Sequence, residues 1–327
     1  MAAVTARRSL AQRLQRQALR KERCGVIGLL GQVTARFARV SDPLLVVDAP
    51  SMLFRAFYAL PDTIKGADGQ PVNALLGTAN LILREIEEHG PRAVVLCFGP
   101  DAADYRVELF DGYHAERPEV PETLAPQFLD ARPFFEAFGW IVADSDSFEA
   151  DDLLGSLAKL ESEAGGRTLV MTGDRDMYQC ANDRVKILYV RTGGKQGAEL
   201  VDAAEVKRRY GVPPELVPDF IALRGDPSDG IPGAKGIGEK GAAELLQRHG
   251  SLETALEHGV RETKKTVRAA LCTQADELRA FKEIATLQDV DVERPADAPT
   301  DYAGAAAAAR ERGMERLAKR LDGLADR

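Results

Sequence analysis

The 327 residues carry 45% hydrophobic and 29% charged side chains, enough to bury the core of one large domain or two coupled ones. No apolar run approaches the roughly 20 residues that cross a bilayer, and the basic stretch 7–23 lacks the apolar segment of a secretory signal. Net charge is −8, but residues 1–40 hold nine Lys/Arg against the single Glu22, so the remainder carries 34 basic and 50 acidic groups. An acidic body argues against a nucleic-acid partner unless bound cations reverse the local field. Cys24, Cys97, Cys180 and Cys272 are too scattered for a zinc pair or a disulfide framework, so reduced thiols in a cytoplasmic monomer without membrane contact are expected.

Residues 1–42 read as a basic N-terminal extension, a disordered tail or a start codon called too early in preference to a nucleic-acid-binding arm. From Pro43 strand and helix alternate. Strands are expected at 44–48, 93–98, 140–142, 168–172 and 185–190, each a short apolar run. Helices are expected at 74–88, 126–138 and 150–163. This β-α-β rhythm predicts an α/β fold with a parallel sheet covered on both faces. Beyond Val201 the pattern turns helical around a Gly-rich stretch at 225–241. The tail 301–327 is Ala- and Arg-rich and is expected to form a solvent-exposed helix.

Open parallel sheets bind ligands at the carboxyl ends of their strands, and acids recur there. Asp48 ends the first strand. Glu149, Asp151 and Asp152 open the helix after the third. Asp174 and Asp176 follow the fourth, and Asp226 and Asp229 lie in the Gly-rich loop. Each fragment alone has an ordinary reading as a helix first turn, a loop or a cap. Eight carboxylates at one mouth repel one another unless cations sit between them, and hard oxygen donors suit Mg²⁺ or Mn²⁺. Two such ions about 4 Å apart activate water and stabilise the leaving oxygen of a phosphodiester.

The run 230–243, Gly-Ile-Pro-Gly-Ala-Lys-Gly-Ile-Gly-Glu-Lys-Gly-Ala-Ala, is the second signal. Gly233, Gly236 and Gly238 permit tight turns with bare backbone N–H groups, the following helix presents its N-terminus, and Lys235 and Lys240 add charge. Such a hairpin grips phosphates without reading bases, whereas a plain interhelical loop needs no lysines at this spacing.

From about Leu44 to about Val292 the sequence resembles the 5′–3′ exonuclease and flap endonuclease family, in the form found at the N-terminus of bacterial DNA polymerase I and as free-standing bacterial proteins. The resemblance rests on Leu-Val-Val-Asp48, Phe148-Glu-Ala-Asp-Asp152, Thr172-Gly-Asp-Arg-Asp-Met-Tyr-Gln179, Arg224-Gly-Asp-Pro-Ser-Asp229 and the hairpin 231–238, in matching order and spacing. It implies a PIN-like nuclease core over 43–210, with an arch at about 100–130 for single-stranded 5′ ends. A helix–three-turn–helix (helix-hairpin-helix) subdomain over 211–300 is implied to bind duplex DNA, with a potassium ion at its hairpin. It implies two or more Mg²⁺ or Mn²⁺ ions on the eight acids, phosphate contacts from Arg106 and the position of His114, and DNA contacts from Arg55 and Tyr105. The implied partners are DNA with 5′ ends, flaps or nicks, RNA primers in hybrids, and a DNA polymerase on a separate chain.

Two positions depart from the family. Gly99 stands where an aspartate ligand is usual, with Asp101 or Asp104 as candidate substitutes. The usual Tyr-Lys pair of the arch is Tyr113-His114, and residues 100–120 hold six acids against Arg106 and Arg117. Two readings follow: an active structure-specific 5′ nuclease of replication or repair, or a weakened paralogue that binds DNA ends or branches. A phosphatase of the haloacid dehalogenase type, suggested by Asp174-x-Asp176, wants a second Asp two residues after its first-strand nucleophile, and Asp48 is followed by Ala49-Pro50.

Overall fold

The computed structural model describes residues 42–191 and 197–326; the basic extension therefore lies outside the described residues. The first apolar run forms β1 (Leu44–Asp48), buried along its whole length. It stops where Asp48 accepts a hydrogen bond from the N–H of Ser51 at 3.0 Å, capping α1 (Ala49–Ala59) with Pro50 in its first turn. One carboxylate thus ends a strand, starts a helix and faces the cleft.

After α2 (Asn73–His89) come β2 (Ala93–Phe98), α3 (Asp104–Leu109), α4 (Ala125–Glu136), β3 (Ile141–Asp144), α5 (Ala150–Glu163), β4 (Thr168–Thr172), β5 (Val185–Tyr189) and β6 (Glu199–Val201). The strand order is β3-β2-β1-β4-β5-β6, parallel throughout except for the antiparallel β5–β6 edge. The three-residue β6 was not expected: it is too short to show alternation.

Successive side chains of one strand point to opposite faces. Leu45, Val47, Leu96 and Met171 pack toward α1, α2 and α4. Leu44, Val46, Val95 and Val170 pack toward α5. That second core continues without a break into α6 (Ala203–Tyr210), α7 (Val217–Arg224), α8 (Glu239–His249), α9 (Leu252–Glu257), α10 (Lys265–Thr273) and α11 (Ala275–Ala285). The helical region is therefore fused to the sheet's underside. A strap over 286–300 fastens it: Ser156 Oγ accepts from the N–H of Val290 at 2.8 Å, and Arg92 donates to the Pro295 carbonyl at 2.8 Å.

The tail is not a solvent-exposed helix. It forms α12 (Tyr302–Glu311) and α13 (Glu315–Ala325), and Ala305, Ala306, Ala309, Leu317, Ala318 and Leu321 are buried in the first core. Its alanines let backbones approach closely, so an Ala-rich stretch that reads as solvated is packing surface. Among the described residues no helix is long and apolar enough to cross a membrane.

Candidate active site

A cleft of about 400 Å³ opens at the carboxyl ends of the strands. Asp48, Glu149, Asp151, Asp174 and Asp229 line it, together with Arg55, Gly99, Asp101, Tyr113, His114, Arg117 and Arg175. Ser51, Phe54, Val120 and Phe128 form another part of its wall, and the rings of Phe54 and Phe128 meet edge to face at 5.4 Å.

Three of the acids carry the electrostatic signature of a cation site. Oδ1 of Asp151 is buried with no hydrogen-bond partner. Burial, then Asp48, Asp174 and Glu149, push its carboxyl well above the usual range. Burial, then Asp229 and Asp226, raise Asp174 to about 7. Burial, then Asp174 and Asp229, raise Asp176 well above its ordinary value. Asp48 is also raised by burial, although Ser51 and Thr172 donate to it at 3.0 and 2.8 Å. A partnerless buried oxygen among mutually repelling carboxylates fits a hard divalent cation.

The remaining acids are placed differently. Asp152 is not available as a ligand: it is fully buried, and both its oxygens are engaged. Arg106 donates to them at 2.7 and 3.0 Å, Tyr105 Oη at 3.0 Å and the N–H of Gln288 at 2.9 Å. Glu149 accepts from the N–H of Ala103 at 2.8 Å and Tyr113 Oη at 2.9 Å, with Arg106 at 3.1 Å. Its side chain and that of Asp152 close a capping box at the start of α5. Asp226 accepts from Arg224 at 2.7 Å and from both the N–H and hydroxyl of Ser228. Burial raises the Asp229 carboxyl, but His114 and Arg117 outweigh it and hold Asp229 below its usual range. No three of these site carboxylates bring oxygens within 4.8 Å of one another.

The expected phosphate contacts also move. Arg106 is 3% exposed and spent on the Glu149–Asp152 pair, so it does not reach the cleft; Tyr105 is turned to the same carboxylate. His114 is buried against Asp229. Arg55 donates to Ser51 Oγ at 3.3 Å and to the Gly173 carbonyl at 2.7 Å. Arg117, unremarked as a site residue from sequence, faces the cleft between Asp101 and Asp229, 3.0 Å from each. Its signal was its place three residues after His114 in an otherwise acidic arch. Asp101 is exposed and paired with Arg117, and Asp104 is exposed on α3, so neither takes the place of the missing aspartate in this arrangement. Gly99 is closely fitted: a Cβ there would lie 2.4 Å from the Phe148 carbonyl oxygen.

In the hairpin the glycines divide by role. Gly233, with φ of 71°, backs onto the chain, where a Cβ would stand 2.3 Å from the Gly225 nitrogen. It is a packing glycine rather than an exposed contact. Gly238 faces open space and begins α8 with no side-chain cap, and Gly236 has room for a Cβ in ordinary contact. Lys235 and Lys240 are exposed beside them. Thr266 lies 3.8 Å from where a Gly236 Cβ would sit, which brings the start of α10 and the exposed Lys264 and Lys265 to the same rim. The consecutive lysines were the available sequence signal.

Residues 43–211 match the model of the 5′-3′ exonuclease N-terminal resolvase-like domain, and residues 212–304 that of the 5′-3′ exonuclease C-terminal SAM fold. A 5′-3′ exonuclease of Mycobacterium tuberculosis is 36% identical over 78% of this chain and 87% of its own length. One of Streptomyces coelicolor is 40% identical over 64% of this chain and 72% of its own. DNA polymerase I of Chloroflexus aurantiacus is 36% identical over 77% of this chain, which spans only 27% of that longer protein. The fold is also that of the T5 5′-exonuclease bound to zinc, with TM-score 0.60 and 17% identity over 85% of this chain and 98% of the other.

Proposed function

The chain belongs to the 5′-3′ exonuclease family, and on that premise we propose that it hydrolyses DNA phosphodiesters near free, nicked or flapped 5′ ends in replication or repair. The observation that carries this reading is the partnerless buried oxygen of Asp151 among carboxylates raised by mutual repulsion, at a cleft mouth. Asp48, Asp151, Asp174 and Asp176 would hold Mg²⁺ or Mn²⁺, with Asp226 and Asp229 next to them. Bound there, such ions supply Lewis-acid activation of water and neutralise charge on the leaving oxygen.

The chain's own residues do the rest. Arg117 presents a guanidinium at the cleft, suited to bidentate contact with a phosphate in place of its two carboxylates. The Phe54–Phe128 wall excludes water beside the acids. Asp152, Arg106 and Tyr105 do not touch substrate in this reading; they lock the first turn of α5 so that Asp151 points into the cleft. The open backbone at Gly238 and the uncapped first turn of α8, with Lys235, Lys240, Lys264 and Lys265, grip duplex phosphates without reading sequence. A potassium ion at this hairpin, RNA primers as further substrates and a polymerase on another chain belong to the same reading.

One arrangement favours the alternative of a weakened, mainly DNA-binding paralogue: Arg106 is buried on carboxylates, His114 at the cleft wall is tied to Asp229, and Gly99 supplies no ligand. Incubating a labelled 5′-flap duplex with Mg²⁺ or Mn²⁺, beside a gel shift in EDTA, separates the two. Cleavage supports the nuclease, a shift without cleavage supports the paralogue, and neither result defeats both.

A further inference from the structure

α2 ends with its acids at the wrong pole. A helix C-terminus carries negative partial charge and favours cations, yet Glu85, Glu87 and Glu88 fall among the last five residues. Glu87 is answered by Arg320 at 2.8 Å. Glu85 and Glu88 converge instead on His89. One ligand atom from each of these three residues lies within 4.8 Å of the other two, the one such set among the described residues.

The set is not merely a solvated acidic face. Glu85 is 2% exposed, sealed by the chain at 197–198, where Arg84 lies over Gly197. Its partner outside the set is the N–H of Ala198 at 3.5 Å, the outer limit of a hydrogen bond. His89 Nε2 stands 3.4 Å from Glu85 Oε2. Burial pushes the Glu85 carboxyl up, against the pull of Ala198 and His89, and Glu88 pushes it further. A cation between these donors would remove that cost. The spacing Glu-x-x-Glu-His puts all three on one side of a single helical turn, so little reorganisation is needed to close on an ion.

We propose that Glu85, Glu88 and His89 form a second metal site that takes one divalent transition ion of the zinc class. An imidazole with two carboxylates prefers such ions over Mg²⁺, which favours an all-oxygen shell. The site lies at the end of α2 that leads into β2 and shares no residue with the cleft. Its occupant would pin the end of α2 and, through Glu85, the approach to β6.

Zn²⁺ is titrated calorimetrically into the full chain with Mg²⁺ saturating, for wild type, His89→Ala and Glu85→Gln. Losing even an outer partner of a ligand costs ~10–100-fold in affinity, so loss of a direct ligand is expected to weaken one Zn²⁺ equivalent by at least about tenfold. The rise in Tm on adding Zn²⁺ is expected to vanish in His89→Ala, whose side chain is partly exposed and not needed for folding, while Mg²⁺-dependent flap cleavage stays unchanged. Equal Zn²⁺ affinity and equal Tm rise in His89→Ala and wild type would overturn the proposal.

Discussion

His114 is bound to Asp229 twice, by its backbone N–H to the carbonyl at 3.0 Å and by ring Nε2 to the carboxylate at 3.1 Å. Its Nδ1 meets the Asp101 carbonyl at 2.5 Å, and its ring stacks on Tyr113 at 3.8 Å. Among the described residues it is the one non-glycine with positive φ, 54°, a conformation that persists only where its surroundings enforce it. The arch is thus latched to the Gly-rich loop through the position where the family usually keeps a phosphate-facing lysine. His114→Ala keeps the strained backbone and removes both ring contacts, to the Asp101 carbonyl and the Asp229 carboxylate, so it is expected to destabilise by about 1–3 kcal/mol. Urea denaturation measures this, and hydrogen exchange over 110–117 should quicken. His114→Lys, which cannot satisfy both Asp101 and Asp229, is expected not to raise flap cleavage; a faster mutant would show that the latch matters less than the missing ammonium.

Restoring an aspartate at Gly99 is expected to fail. The new Cβ would press on Phe148, Glu149 and Ala150 backbone atoms that begin α5 and aim Asp151. Overpacking of this kind costs about 1–3 kcal/mol. Gly99→Asp should melt earlier and cleave more slowly in single-turnover assays across a metal titration. Tighter metal binding with faster cleavage would refute this account.

Asp174→Asn and Asp151→Asn are expected to cut cleavage by at least ~10²-fold with DNA binding retained in a gel shift. Both should stabilise the metal-free chain by relieving repulsion among buried carboxylates. Asp174 also makes the stability of the metal-free chain depend on pH. Its folded value, about 7, lies above its unfolded one, so its contribution is greatest below about pH 4 and is lost as pH rises through 7. Thermal melts in EDTA should show wild type losing stability over that window and Asp174→Asn losing less. Matching pH profiles would mean that Asp174 is ionised throughout.

Salt dependence tests the hairpin. Lys235→Ala, Lys240→Ala and the double change Lys264→Ala, Lys265→Ala should weaken duplex binding alike on any sequence, each lost phosphate contact lowering the log–log salt slope by about 0.9. Gly236→Val has room for its side chain but not the φ of 78°, so it should reduce binding by distorting the turn. A slope unchanged in Lys264→Ala, Lys265→Ala would remove the start of α10 from the interface.

Periodicity and chain order determined five of the six strands, the helix over 150–163 and the placing of acids after successive strands, because these depend on neighbours a few residues apart. The hairpin's Gly-Lys pattern was legible for the same reason. Which acid remains available was decided only by tertiary structure. Asp151 and Asp152 are adjacent in sequence, but the rotation of about 100° between successive helical residues sends them to different sides. Asp152 meets Arg106, 46 residues away, and Gln288, 136 away, while Asp151 is left with a buried oxygen and no donor. Arg106 and His114 have the chemistry of phosphate contacts, but the fold spends both on carboxylates, as it spends the tail's alanines on the core. A side chain's type states what it can bind; the partners that arrive from distant segments, and the water they exclude, decide what it does bind.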